Sequence, residues 1–430
     1  MKKLLSVLMV LLLVVGMFAG CSNSNGQAEP TTGETPEAGS AEPITIEFWT
    51  ISLQPTFTDF LNGLIDQYEA DNPGITVEWV DLPYDAIQEK LVTAVAGGNA
   101  PDVVNLNTTF AMNLAGQGVL VDLNKEATEE QRSIYIENLY NSCRLGDSVY
   151  AFPWYGSPNV MLVNGALFEQ AGITELPTEY TGDETLEMAR KMMDATGSYL
   201  YDPYVLLYTM MYDGFAVLNE DKTAAAFNTP EFVAYVQKLQ DAVNDGIIPA
   251  DVWGDWDGEI RLFETGQMAT MCTSGSVINQ VKDEAPDVYE NLKIAYPMTG
   301  SLGIPSNPLM NVVVPVASEH HEEAIKFANY ITNDACQLAF CKEAAIFPST
   351  IEACKDEFFT SDLETLDGQA RALCAEVSLT CGDWSIGVAQ GDAIEKIFRD
   401  LEDAVFSNGD DVATAIAEAE AKVNKVLSEG

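Results

Sequence analysis

Between Ile44 and Asn107 the spacing of apolar residues switches repeatedly between two periods, and this alternation limits the possible folds more than any other feature of the chain. "ITIEFWT" (Ile44 to Thr50) exchanges apolar for polar residues at nearly every step, the period of a strand with one buried face. Phe57, Phe60, Leu61, Leu64, Ile65 and Tyr68 then fall at helical spacing, and Asp71-Asn72-Pro73-Gly74 stops the run with two strong breakers. "ITVEWVDL" (Ile75 to Leu82) predicts a second strand, Asp85 to Ala96 a second helix closed by Gly97-Gly98-Asn99, and "PDVVNLN" (Pro101 to Asn107) a third strand. Strands joined through helices need crossover connections, so a parallel, doubly wound sheet is expected.

Ahead of this body, Lys2 and Lys3 precede an apolar run from Leu4 to Met17 that ends in Phe18-Ala19-Gly20-Cys21. The apolar part is short for a bilayer-spanning helix, and the arrangement resembles a bacterial lipoprotein signal. The resemblance implies a signal peptide over 1–20, removed by cleavage before Cys21, whose thiol then carries lipid on the outer face of the cell membrane; an uncleaved anchor with a chance cysteine is the alternative. Residues 22–42 hold no large apolar side chain, which predicts a disordered tether over 21–42 reaching on the order of 25 Å.

Nearly four hundred residues follow, so two lobes are the natural expectation. With 66 acidic against 21 basic residues the formal charge is −45, which argues against nucleic acid as a partner and against adhesion to anionic lipid. Lipid aside, seven cysteines remain and at least one is unpaired within a monomer; Cys336 with Cys341 and Cys374 with Cys381 are close in sequence, but mostly buried free thiols are expected. The only histidines, His320 and His321, sit at a predicted helix start, which leaves little scope for His-based catalysis or zinc, and no metal or other cofactor is expected.

Motif order adds a second resemblance. "IEFWT", "NPGITVEW", "LVTAVAGGNAPDVVNLN", "GQGVLVDL", "YAFPWYGSPNVMLVNGALFEQAGI" (Tyr150 to Ile173), "FETGQMATMCTSGSVINQV" and "VVVPVASEHHEEAIKFANYITND" follow one another as in the extracellular solute-binding proteins of ABC importers. The chain is most similar to the group that takes up sugars and oligosaccharides, with Val163-Asn164 where a Tyr-Asn-like pair is usual and Val277 where an aromatic is common. The resemblance implies an α/β, two-lobe periplasmic-binding-protein-like fold of the class II type, each lobe a mostly parallel sheet flanked by helices, with the ligand cleft between them. Lobe 1 would span 43–155 and 303–345, and lobe 2 would span 156–302 and 346–430, ending in the amphipathic runs "GDAIEKIFRDLEDAVF" and "DVATAIAEAEAKVNKVL".

A sugar offers flat CH faces edged by hydroxyls, so aromatic platforms, carboxylates and amides near strand ends are the candidates. Trp49 and Thr50 close the first strand, where a tryptophan could equally plug the interlobe seam, and Asn107, Thr108 and Phe110 follow the third. Trp154 and Tyr155 lie in the first crossover, where hinge stiffness is the other reading. Tyr204 shares a helical face with Tyr208 and Tyr212, which could simply be core packing. Trp253, Asp255 and Trp256 combine stacking with a carboxylate, or form a capped helix start. Ser274, Gly275 and Ser276 follow a strand, Asn311 follows the second crossover, and Asp383 and Trp384 occupy a Gly-Asp-Trp turn from which the family often sends an aromatic into the cleft.

The expected function is that of a membrane-tethered, monomeric capture protein that closes on a carbohydrate and hands it to an ABC permease. A polyamine, another cationic solute or a metal chelate would suit the same role. A surface glycan-degrading enzyme would also want tryptophans and paired carboxylates, but no Gly-x-Ser-x-Gly elbow, Walker loop or His-based metal helix is present. A structural adhesin would be compatible with the tether, although the crossover pattern points to a closing cleft.

Overall fold

The structure, a computed structural model, describes residues 43–203, 205–250, 252–275 and 277–429. The signal segment, Cys21, the tether, Tyr204 and Ser276 lie outside the described residues. Pro43–Gly430 forms one compact unit.

The opening strands and helices stand nearly where the periodicity places them. β1 (Ile44–Ile51), β2 (Ile75–Leu82) and β3 (Val103–Asn107) alternate with helices Thr58–Asp71 and Tyr84–Gly97. Gly98 ends the second helix in the left-handed conformation, with φ 73°, which a residue lacking Cβ adopts without strain. β4 (Phe152–Gly156) leaves the first sheet for β5 (Val160–Asn164), which pairs with β6 (Thr270–Thr273) and β7 (Leu292–Ala295); β8 (Leu309–Val313) and β9 (Phe347–Pro348) return to the first sheet.

The first sheet has the order β9-β4-β8-β3-β1-β2 and the second the order β6-β5-β7. The two-lobe α/β architecture expected from the sequence stands, but its strand pairing needs correction. Among the described strands of the two sheets, β1 alone pairs parallel, with its neighbours β2 and β3, while β8 runs antiparallel to β3 and β4, β9 antiparallel to β4, and β5 antiparallel to both β6 and β7. The cause is connectivity. β3 and β4 run toward the second lobe, whereas β8 begins where the chain comes back from it, so β8 must point the opposite way to strands that end there.

Each sheet is covered on both faces. Ile46, Phe48, Phe152 and Trp154 pack with Leu61, Phe327 and Phe340 on one side of the first sheet, and Val104, Leu106 and Val313 pack with Ile87, Leu91 and Leu114 on the other. In β5 the strand period divides the work: Met161 and Val163 join a core with Phe232, Phe398 and Ile416, and Val160 and Leu162 join one with Phe263, Ile278 and Cys374. The two amphipathic runs near the C-terminus form helices Gly391–Glu402 and Val412–Glu429 over the first of these cores.

Three chain segments meet between the lobes. Ser157 N donates to Pro308 O at 3.1 Å, Asn307 N to Gly382 O at 2.9 Å and Gly382 N to Pro305 O at 2.9 Å, making a narrow ribbon of backbone. Gly156 is required there, because a Cβ at that position would lie 2.2 Å from Asn307 Oδ1. The third segment, around Gly382, lies beyond the 345/346 boundary expected between the lobes, since β9 still pairs in the first sheet. The seven described cysteines are all free thiols, and six are buried.

Candidate functional site

A cavity of about 470 Å³ opens against this ribbon, lined from the first lobe by Tyr84, Asn107, Thr108 and Met310, from the second by Tyr208, Tyr212, Glu395 and Arg399, and from the crossing segments by Ser157, Ser306, Asp383 and Trp384. It lies beyond the carboxyl end of β3, the position at which open α/β sheets bind ligands. Its size falls within the range of small-molecule sites.

Its polar groups are held by the local structure. Asn107 ends β3 and caps helix Thr108–Gly116, its Oδ1 accepting from Phe110 N at 2.7 Å, while its Nδ2 donates to the Tyr84 hydroxyl across the cleft floor. Thr108 Oγ1 accepts from Asn311 Nδ2 at 2.9 Å. Asp383 Oδ2 accepts from Leu309 N at 2.9 Å; burial pushes its carboxyl up to about 6, against the pull of the Thr108 hydroxyl and the Leu309 amide. Trp384 stands edge-on to Tyr212, ring centres 5.7 Å apart, and its buried Nε1 has no hydrogen-bond partner among the described residues. Glu395 accepts from the Tyr208 hydroxyl at 3.3 Å and lies 3.6 Å from Arg399 Nη2.

Of the residues singled out in the sequence, the cavity brings together Asn107, Thr108, Asp383 and Trp384, with Tyr208 and Tyr212 from the tyrosine-rich face. Asn311 stands one layer back, 1% exposed, orienting Thr108. Several others are corrected to structural roles, for identifiable reasons. Thr50 is fully buried, bonded to Asp81 and Trp79, and Trp49 bonds Glu47 along its own strand. Phe110 points from its helix into the core of the first lobe. Trp154 is 1% exposed among Phe48, Tyr155 and Phe340, and Tyr155 meets Phe340 edge-on at 5.3 Å, because a bulge in the β4–β8 pairing at Trp154 interrupts the strand's alternation and lets both neighbouring rings reach the helix Asp334–Glu343. Trp253 stacks on Phe406 at 4.0 Å and donates to Pro249 O. Asp255 and Trp256 open helix Trp256–Glu264 and are not among the residues lining the cavity, with Trp256 in solvent, although Gly254 just before them packs against Arg399 of that lining. Ser274 and Gly275 line a separate cavity of about 370 Å³ that shares Ser157 with the first.

Sequence reasoning missed Tyr84, although the strand-end argument used for β1 and β3 applies equally to the residue after Pro83 at the end of β2. It also missed Glu395 and Arg399. These stand one turn apart on the polar side of an amphipathic helix, and nothing in their spacing separates a face turned to the cleft from one turned to solvent.

The profile of the family described as bacterial extracellular solute-binding protein matches residues 54–337. A chain of Brucella abortus (strain 2308) designated a binding protein is 25% identical over 308 residues, 69% of this chain and 74% of its own length. The diacetylchitobiose binding protein of Streptomyces coelicolor is 27% identical over 176 residues, 41% of this chain and 40% of its own. A crystal structure from Synechococcus sp. MITs9220, classed as an oligosaccharide periplasmic-binding protein, superposes with a TM-score of 0.78 at 28% identity, covering 89% of this chain and 99% of that one. Fold, cleft and sequence profile agree, and the chain belongs to the bacterial extracellular solute-binding protein family.

Proposed function

We propose that this protein captures a carbohydrate in the cleft between its lobes and delivers it, on closing, to the membrane subunits of an ABC importer. The observation that carries the reading is the make-up of the 470 Å³ cavity: Tyr84, Tyr208, Tyr212 and Trp384 supply faces for sugar rings, and Asn107, Asp383, Glu395 and Arg399 supply the polar edges. The oligosaccharide and diacetylchitobiose descriptions of two similar proteins support the same class of ligand. Arg399 beside Glu395 disfavours a polycation, since it places a positive charge where a polyamine would need a negative one.

The relatives named are binding proteins, and binding without turnover is the role proposed here. Both cleft carboxylates are already engaged, Asp383 with the Leu309 amide and Glu395 with Tyr208 and Arg399, rather than standing free on either side of a scissile bond. The protein acts outside the cytoplasm as a monomer, held to the membrane by lipid on Cys21 so that a modest affinity for the permease suffices. The ribbon around Ser157, Pro308 and Gly382 is the hinge of closure. Thermal-shift and calorimetric titration against mono- and oligosaccharides, polyamines and metal chelates tests the reading. Saturable stabilisation by a carbohydrate that is recovered intact is expected. Stabilisation only by a polyamine or chelate, or cleavage of the sugar, would overturn it.

A further inference from the structure

The loop that follows Trp384 has an unusual set of anchors. Its consecutive carbonyls at Ile386, Gly387 and Val388 are each taken by a side chain from elsewhere in the chain. Lys222 Nζ donates to Ile386 O at 3.0 Å and to Gly387 O at 3.2 Å. Asn113, with its amide nitrogen turned toward the loop, donates to Val388 O. The two anchors belong to different lobes: Asn113 sits on helix Thr108–Gly116, packed against the first sheet, whereas Val388 and Ile386 pack into the core of the second.

The fit is close. Gly387 has φ +68°, and a Cβ there would lie 2.3 Å from Lys222 Nζ and 3.1 Å from Met112 Cε, so the loop is pinched between a lysine of one lobe and a helix of the other. Lys222 itself is held with φ 55°, a conformation that non-glycine residues adopt sparingly. In a chain with 66 acidic residues, this partly buried lysine is found in no ion pair among the described residues, and its donors go to neutral backbone instead.

We propose that Lys222 and Asn113 form a clasp that positions the Trp384 loop for ligand, Lys222 fixing the loop on its own lobe and Asn113 tying it to the other lobe when the two approach. The inference rests on the reading of the cleft as the ligand site. Neither residue lines the cavity; both are positioning residues that act through Trp384 and Asp383. Separation of the lobes breaks the Asn113 bond and leaves the Lys222 bonds intact, so the loop stays ordered while the cleft is open and adds one interlobe bond as it shuts.

The test is hydrogen–deuterium exchange over 384–391 in the full-length chain, in wild type, Lys222→Met, Lys222→Arg and Asn113→Ala, first without ligand. Lys222→Met keeps the apolar stem and removes the donors; about tenfold faster exchange in the loop is expected, with protection restored in Lys222→Arg. For whichever carbohydrate stabilises the wild type, Lys222→Met and Asn113→Ala should each raise the dissociation rate several-fold to about tenfold, with the melting temperature of the empty protein unchanged. Unchanged loop exchange in Lys222→Met, or a loss of affinity that only follows a general fall in melting temperature, would overturn the clasp. If Lys222→Met does not fold, Asn113→Ala decides: an unchanged dissociation rate overturns the proposal and a faster one supports it. If no carbohydrate binds the wild type, the proposed function fails, and the exchange experiment still decides the Lys222 anchor without any ligand.

Discussion

Trp154 and Trp384 look alike in sequence, each a tryptophan in a turn-rich stretch, yet the structure places them oppositely, one in a core and one on a cavity wall. Trp154 is packed against Phe48, Tyr155 and Phe340, so Trp154→Ala should lower stability by about 3–5 kcal/mol in urea unfolding, through the cavity it leaves. Trp384 lines the cleft beside Tyr212, so Trp384→Ala should weaken binding of the captured sugar by about 2 kcal/mol in calorimetric titration while its unfolding midpoint stays near that of the wild type. Glu402 carries a pH dependence. Burial pushes its carboxyl up from 4.5 to about 7, outweighing the Leu206 amide and Arg399, which pull it down. The folded chain therefore holds this proton more tightly than the unfolded chain, and stability present below the unfolded value is lost as pH rises through about 7. Glu402→Gln keeps an oxygen for the Leu206 amide, so its unfolding free energy in urea titrations should vary less than the wild type's between pH 5 and pH 8 and exceed it at pH 8, by on the order of 2 kcal/mol.

At the scale of elements, the strands and helices with one clear period were legible and their partners were not. β2 spans the residues that its alternation predicts, and the first two helices differ from expectation by a residue or two at their ends, because their apolar spacing and their Asn-Pro-Gly and Gly-Gly stops are local signals. Pairing direction is not local. The direction of β8 depends on where the chain has been since β4, more than 150 residues earlier, and no periodicity within five residues records it. The C-terminal helix Val412–Glu429 shows what such an element contributes once placed: Ile416 is fully buried in the core of the second lobe, so Ile416→Ala should cost about 2–4 kcal/mol, measurable as a lower urea midpoint with an unchanged slope.

At the scale of the molecule, burial decides the chemistry of the thiols. The seven described cysteines are free, and burial raises Cys336 to about 11 and Cys272, Cys354, Cys374 and Cys381 to about 12, far from the thiolate range. An aromatic disulfide reagent at pH 8 should therefore label almost none of them in the native protein and all of them in denaturant; fast native labelling would contradict the packing. The sequence led to the expectation of mostly buried free thiols, and the structure agrees for the described cysteines. The candidate site divides in the same way. Asn107 and Thr108 were legible as residues that end a strand and open a helix, Asp383 and Trp384 through the family resemblance of their Gly-Asp-Trp turn, and Tyr208 as one of a dense group of tyrosines, whereas Tyr84, Glu395 and Arg399 join them only because β2 and a distant helix converge on one cavity. Local spacing was enough for the period of the opening strands and helices, the alternation that demands an α/β fold and the family order of motifs. Which aromatics face the cleft, which way each strand runs and which lysine reaches the Trp384 loop were settled by packing, since each depends on contacts between residues far apart in the chain, whose geometry exists only once the lobes have formed.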